Sequence, residues 1–392
     1  MVKNILNKNV VEFFAGIGLM RAGLEKANWD VVFANDIDPV KKRLYVNNFV
    51  DAKSHFSLED IHKLSPTLIP DVALATASFP CTDLSLAGRR EGLSGKHSSA
   101  FWGFIDILRG MGERKPPLVL LENVAGFLTS NDGNDFKDAL LALNEVGYAV
   151  DAFIINAANF VPQSRVRLFV VGKRVNQGSE RFKIRHYFPA TELRPDKIVK
   201  FIFNHPDINW DINHTLPSLP ILSSSLKDIV QNIDEQSDTW WSEERRNYFL
   251  SQTFDRHLEK LMELKSAIGY TYFTAFRRLR NGKSMAEIRF DGIAGCLRTP
   301  KGGSARQILV RVGKGEIKVR LLNPTECARL MGADDFKISG TANEALFGFG
   351  DAVCVPVISW IAQNYLEPAL INIANTKERK PSEIIGDYAK PA

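Results

Sequence analysis

The chain has 392 residues, 45% hydrophobic and 24% charged, with a formal net charge of +5. That is ordinary globular usage, long enough for one large domain with a sizeable core and a smaller second one. Four cysteines (Cys81, Cys296, Cys327, Cys354) lie far apart without a C-x-x-C pair, which excludes a disulfide framework and a zinc site and suits a reducing cytoplasm. No apolar segment of signal-peptide type opens the chain and no run approaches about 18 uninterrupted apolar residues. A soluble cytoplasmic protein with no metal and no membrane role is expected.

In chain order, apolar runs of strand length stand at Val10–Phe14, Trp29–Ala34, Asp71–Ala77, Pro117–Leu121, Val150–Ile155 and Leu168–Val171. Helix-like stretches at Leu19–Ala27, Pro39–Asn48, Ser99–Met111 and Asp135–Val146 lie between the earlier ones. This alternation predicts an α/β fold built on a doubly wound, Rossmann-like sheet. A short polar loop joins the last two runs, which predicts an antiparallel hairpin at one end of the sheet. From about Arg174 the pattern gives way to Pro-rich, Asn-rich and mixed-charge sequence. Regularity returns at Asn323–Met331, a capped helix opening, and at Ala352–Tyr365, an apolar helix that should pack back onto the sheet. The organisation expected is a catalytic domain over residues 1–175 completed by 345–370, a smaller domain over 176–344, and a polar tail over 376–392.

Charge is unevenly spread. Arg174 to Arg320 carries 25 Lys+Arg against 17 Asp+Glu, and Tyr270 to Arg320 carries 12 against 3. Within that stretch Tyr270, Tyr272, Phe273 and Phe276 lead into Arg277-Arg278-Leu279-Arg280. Basic charge interleaved with aromatics suits a polyanion with stackable bases.

Two loops carry the chemistry. The first strand runs into Phe14-Ala15-Gly16-Ile17-Gly18, where glycine lets the backbone turn tightly against a ligand. Asp36 follows the second strand, where a carboxylate typically holds ribose hydroxyls, and Asp60 stands after the region of the third. A dinucleotide fingerprint needs a third glycine where this chain has Arg21, so an adenosine cofactor without a pyrophosphate, S-adenosylmethionine, is the candidate. Behind Asp71–Ala77 comes Ser78-Phe79-Pro80-Cys81, a thiol just past a strand's carboxyl end and held by the fixed φ of Pro80. That is the placement of a nucleophile.

Phe14-Ala15-Gly16-x-Gly18, Phe79-Pro80-Cys81, Glu122-Asn123-Val124, Gln163-x-Arg165-x-Arg167, Arg320-x-Leu-x-Pro-x-Glu326-Cys327-x-Arg329-Leu-Met331-Gly332 and Phe349-Gly350-Asp351-Ala352-Val353 resemble, in order and spacing, the motifs of the cytosine-C5 DNA methyltransferases. The resemblance implies a Rossmann-like methyltransferase domain with a smaller DNA-recognition domain. It implies cofactor contact by Phe14, Gly16, Ile17, Gly18, Asp36, Ile37, Asp60, Ile61, Asp351, Ala352 and Val353. Cys81 becomes the nucleophile for carbon 6 of cytosine, with Pro80 shaping its turn, because only electron density pushed into the ring makes carbon 5 reactive. Glu122 would meet the N3 edge and exocyclic amine, Arg165 the base's carbonyl O2, and Arg167 neighbouring backbone and phosphate.

A base inside a duplex cannot meet Cys81, so the target must be flipped out. The glycine-rich, basic stretch Ser85–Ser98 is expected to close over double-stranded DNA, with Ser85, Arg89, Arg90 and Lys96 touching it. Further DNA contacts are expected from Gln163, Arg277, Arg278, Arg280 and Arg306, and sequence recognition from the segment between about Arg174 and Gly295. Departures from the family pattern are Thr82 where glutamine is frequent, Leu19 where a glycine is frequent, and Asp351-Ala352 where Asn-Ser is frequent. The last removes a hydroxyl that can help hold the cofactor's carboxylate. A monomeric bacterial DNA methyltransferase paired with a cognate restriction endonuclease is the leading reading. A transfer-RNA methyltransferase and a catalytically idle DNA-binding relative are the alternatives.

Overall fold

The computed structural model describes residues 7–80, 99–175, 187–280, 282–299 and 305–378. Seven strands make one sheet: β1 Asn9–Phe13, β2 Asp30–Asp36, β3 Phe56–Leu58, β4 Leu74–Ala77, β5 Leu118–Val124, β6 Tyr148–Asn156 and β7 Val166–Arg174. Their order is β3-β2-β1-β4-β5-β7-β6. The first five are parallel, and β7 runs antiparallel between β5 and β6. The predicted hairpin is therefore present, with β6 at the sheet edge and β7 inside it.

Helices α1 Leu19–Glu25, α2 Pro39–Asn48, α3 Ser99–Met111 and α4 Asn134–Glu145 connect these strands. Because neighbouring strand residues point to opposite faces, Val10, Leu74, Leu118 and Leu120 enter one core while Val11, Ala75, Val119 and Leu121 enter another. Both faces are covered, which is why β4 and β5 read as continuous apolar runs.

Beyond the first sheet come α5 Asp196–Asn204, α6 Leu226–Ile229, α7 Glu243–Ser251 and α8 Asp255–Lys265. Four strands follow, β8 Thr271–Arg280, β9 Lys283–Arg289, β10 Ile308–Gly313 and β11 Glu316–Leu321, in an antiparallel sheet of order β11-β10-β8-β9. This sheet has its own core of Phe249, Leu261, Phe273, Ala286, Val310 and Val319. Packing departs from the boundary expected at residue 176. Ile198, Phe201, Ile202, Ile208 and Trp210 join the core of the large sheet, and Arg194 forks onto Asp151 of β6 at 2.6 Å in a fully buried pair. Asp151 also accepts from Tyr365 O–H and from the Asn213 amide, both at 2.9 Å.

The chain then returns to the large sheet through α9 Pro324–Leu330, α10 Ala342–Asp351, α11 Val355–Ile361, a π-helical turn Ala362–Leu366 and α12 Glu367–Glu378. α9 opens with a capping box between Asn323 and Glu326. The apolar stretch Ala342–Asn375 has the length and hydropathy of a membrane span but is mostly buried. Gly23 lets α1 meet α11 closely: a Cβ there would lie 2.5 Å from Ile358 Cβ and 2.7 Å from the Val355 carbonyl. The helix expected from Ala352 starts only at Val355, because Ala352 and Cys354 are extended. It also continues to Glu378, past the residue where the polar tail was expected to begin.

One buried acid is unexplained by the apolar pattern. Glu12, on β1, is 1% exposed, and its Oε2 accepts from Tyr45 O–H at 2.7 Å. Burial pushes its carboxyl up to about 8, against the pull of the Tyr45 hydrogen bond and of Arg21. A folded value above the free value of 4.5 means its contribution to stability is full below about pH 4.5 and lost as pH rises through 8. Glu12→Gln should therefore be neutral or mildly destabilising at pH 5 and more stable than wild type at pH 9, by on the order of 1–3 kcal/mol. Urea denaturation at both pH values checks this. An unchanged difference between the two proteins would remove Glu12 as the titrating group.

Candidate active site

β1 and β4 are adjacent, yet the chain leaves β1 for β2 on one side and β4 for β5 on the other. Such a switch point opens a crevice at the strands' carboxyl ends. The turn after β1 is left-handed at Phe14, Gly16 and Gly18, with φ of 55°, 59° and 90°. Gly18 is required twice over, since a Cβ there would also stand 2.5 Å from the Phe49 ring. Asp36 pins this turn: Oδ2 accepts from the Gly16 amide and Oδ1 from the Asp38 amide, each at 2.9 Å. Burial pushes the Asp36 carboxyl up, opposed by the nearby Lys41 ammonium. Arg21, at the place of a third glycine, is buried with its guanidinium 4.4 Å from the Phe49 ring and ion-paired to Glu25 and Asp51.

The other expected cofactor residues surround this turn in different ways. Ile37 is 66% exposed and Ile61 is buried against α3. Asp60 is half-buried and its Oδ1 accepts from the His62 amide at 3.0 Å. Ile17 is buried under Gly348 of α10. That helix ends at Asp351, whose Oδ2 lies 3.0 Å from Lys41 Nζ, and it is followed by buried Val353. Lys41 was not singled out in the sequence, although its place one turn past Asp36 was a signal.

Phe79 is buried and Pro80 exposed at the end of β4. Cys81, and the loop residues Ser85, Arg89, Arg90 and Lys96, lie outside the described residues. One strand over, Ala77 pairs with Leu121, so Glu122 stands level with the residue that leaves β4. The Asn123 amide donates to the Phe79 carbonyl at 3.5 Å and ties the two strand ends together. Glu122 is 6% exposed and lies 3.0 Å from Arg167 Nε. Burial raises the Glu122 carboxyl above its ordinary value, and the Arg167 and Arg165 cations offset this only in part. The protonated acid is thereby favoured.

The two arginines expected near the base face different ways. Val124 pairs with Arg167 and Glu122 with Phe169, which puts the Arg167 side chain diagonal to Glu122 on one face of the sheet. Arg165 points instead into the protein. It is 1% exposed and donates to the carbonyls of Leu297 at 2.9 Å and Gly350 at 3.1 Å, and to that of Ala352. Arg165 therefore ties β7 to the segments at 297 and 350–352, while Arg167 faces the acid. Gln163, expected to touch DNA, is also turned inward. It is fully buried, with its amide donating to Leu330 O at 2.7 Å and its Oε1 accepting from the Leu297 amide at 3.0 Å.

Cys296 gave no sequence signal, yet its thiol lies 3.4 Å from Arg165 Nη1 and 3.9 Å from Arg167 Nη2. Burial raises the thiol, but the two guanidiniums pull it lower still, so its net position is below the usual value.

The basic cluster falls on a projecting hairpin. β8 pairs with β10 only as far as Ala275, whereas its pairing with β9 continues to Arg280, so residues 276–280 and 283–287 form a two-stranded ribbon. Arg278 and Arg280 share Glu287, at 3.7 and 2.7 Å, and Arg277 lies 5.9 Å from the Trp241 ring. Part of the cluster's charge is thus compensated within the ribbon. Arg306 bonds Asn343 of α10.

Fold and site define a Rossmann-like methyltransferase core carrying a small antiparallel domain. The chain belongs to the C-5 cytosine-specific DNA methylases, whose family model matches residues 8–367. It is a DNA (cytosine-5)-methyltransferase, of a family that uses S-adenosylmethionine. It is similar to the type II methyltransferase M.HhaI of Haemophilus parahaemolyticus, 26% identical over 92% of this chain and 95% of that one. It is also similar to M.Bsp6I of Bacillus sp. (strain RFL6), 27% identical over 92% and 99%. Among solved structures, S. pombe Dnmt2 methyltransferase superposes with a TM-score of 0.57 at 19% identity, covering 92% of this chain and 98% of that one.

Proposed function

We propose that this enzyme methylates carbon 5 of a cytosine flipped out of a specific duplex DNA sequence, through a covalent bond between Cys81 and carbon 6. The observation that carries the reading is buried Glu122, kept toward its protonated form beside Arg167, one strand from the Phe79-Pro80 turn that leads into Cys81. A protonated Glu122 donates to N3 while its other oxygen accepts from the exocyclic amine, which draws electrons from the ring and opens carbon 6 to a thiolate. Arg167 is the group for the base's O2, and Arg165 holds the floor of the site. Thiolate addition makes carbon 5 nucleophilic. Once carbon 5 has taken the sulfonium methyl, with S-adenosylhomocysteine as the leaving thioether, loss of the carbon 5 proton to a base and of the thiolate would restore the ring.

The residues around the first turn fit the methyl donor. A tight turn without the third glycine, pinned by Asp36 and flanked by exposed Ile37, suits a nucleoside with no pyrophosphate. When bound, S-adenosylmethionine supplies an electrophilic sulfonium methyl. Asp36, Ile37, Asp60 and Ile61 would hold its nucleoside, and Phe14 to Gly18 its thioether side. The ribbon of Arg277, Arg278 and Arg280, with Arg306 and the loop residues Ser85, Arg89, Arg90 and Lys96, would meet DNA, the ribbon being of a shape that the major groove admits. With relatives named as type II methyltransferases, we read a bacterial enzyme that protects DNA against a cognate restriction endonuclease, and we take it to be monomeric and cytoplasmic.

Transfer of labelled methyl to duplex DNA and to RNA, by wild type and by Cys81→Ser, tests the reading. Wild type should label DNA alone, and Cys81→Ser should fall to background. Label on RNA alone would move the substrate to RNA, and equal DNA labelling by both proteins would remove Cys81 from the mechanism. Bisulfite sequencing of DNA from a host expressing the chain would name the target.

A further inference from the structure

We infer that Lys41 and Asp351 form a latch for the amino-acid end of the cofactor, the lysine taking its carboxylate and the aspartate its ammonium. The inference rests on the cofactor site proposed above. It begins with an ion pair between two elements that border the glycine turn. Lys41 is in the first turn of α2, and Asp351 is the last residue of α10, with Oδ2 and Nζ 3.0 Å apart. Both helices touch the turn itself: a Cβ at Gly18 would stand 3.0 Å from the Tyr45 ring of α2, and Gly348 of α10 packs on Ile17. The pair therefore spans the mouth of the crevice.

Each charge stands at the end of its helix where the dipole disfavours it, a cation at an N-terminus and an anion at a C-terminus. The N-terminal amides of α2 do not offer an alternative site. Asp38 Oδ1 already accepts from Val40 and Lys41 at 2.7 and 3.4 Å, so the ammonium is what α2 can present to an anion. On the other side, Asp351 carries the one polar side chain of Gly350-Asp351-Ala352-Val353, and the Gly350 and Ala352 carbonyls are taken by Arg165. With no hydroxyl at Ala352, Asp351 is the side chain that this segment can offer to the amino-acid end.

The pair is also easy to open. The two side chains are 26% and 48% exposed, and ion pairs at such sites contribute little net stability. The groups that face Lys41 are Asp351, Asp36 and Asp38; Asp36 accepts from the Gly16 and Asp38 amides, and Asp38 caps α2. A methionine zwitterion presents one carboxylate and one ammonium on a single carbon, so it can replace both halves of the pair without leaving either charge unmatched.

Titration calorimetry on the full chain tests this with S-adenosylhomocysteine, with its decarboxylated and deaminated analogues, and with 5′-deoxy-5′-methylthioadenosine, which lacks the amino acid. Lys41→Met should weaken S-adenosylhomocysteine roughly tenfold, leave the decarboxylated analogue and the thioether nucleoside unchanged, and be rescued by Lys41→Arg. Asp351→Asn should show its loss on every ligand that keeps the ammonium and none on the deaminated analogue. Equal losses on all four ligands, or none on any, would overturn the latch. If wild type binds none of them, the cofactor site itself is wrong. Melting of each unliganded variant near the wild-type temperature confirms that the fold is kept, and Lys41→Arg carries the test if Lys41→Met melts early.

Discussion

Glu122→Gln should lower the rate of methyl transfer by about 10²–10⁴-fold, the range for loss of a positioned acid, with DNA and cofactor affinities close to wild type. Glutamine keeps the size and one donor of a protonated glutamate, so the fold and the contact with the base survive. It has no proton to share with N3. The pH dependence separates this role from simple hydrogen bonding. Burial raises the Glu122 carboxyl against the pull of Arg167 and Arg165, and the acid must be protonated to act, so wild-type single-turnover rates should fall as pH rises through that raised value. Glu122→Gln should lack this limb. A variant within a few-fold of wild type, or one that keeps the same falling limb, would leave Glu122 as scaffold only.

Arg165→Met should cost on the order of 3–5 kcal/mol of stability, because several buried carbonyls lose their donor together. Leu297, Gly350 and Ala352 all present carbonyls to this one guanidinium, and the residue is 1% exposed. Arg167→Gln should show the opposite profile, with a smaller loss of stability and a large fall in kcat, since its Nε meets Glu122. Urea midpoints beside single-turnover rates decide the matter. A stable Arg165→Met with no activity would return Arg165 to the base and undo the exchange of roles.

That exchange shows what sequence can and cannot order. The motif Gln163-x-Arg165-x-Arg167 was legible, and so was the apolar run that leads into Glu122. Which arginine faces the acid depends on the diagonal across β5 and β7, and no single strand contains that relation. The inward turn of Gln163 was hidden for a related reason: an amide suits DNA and buried backbone equally, and its partners at Leu297 and Leu330 are far away in the chain. For the fold, long apolar runs revealed six strands of the large sheet, while β3 has three residues and leaves too little pattern. The second sheet escaped because the exposed end of β8 is Arg277-Arg278-Leu279-Arg280, where side-chain charge drowns the alternation. Helix α5 was missed although Ile198, Val199, Phe201 and Ile202 make one apolar face, since the surrounding proline and asparagine read as loop.

The return of α11 onto α1 also sets a timetable for synthesis. One face of the large sheet, with Val10, Leu24 and Leu74, shares its core with Val355, Ile358, Ile361 and Leu366. A ribosome needs roughly 10–40 s to add the stretch between Arg174 and Val355 at about 5–20 residues per second. Throughout that interval this face of the sheet lacks the cover of Val355, Ile358, Ile361 and Leu366, so the core of the large domain closes only when its last helices emerge.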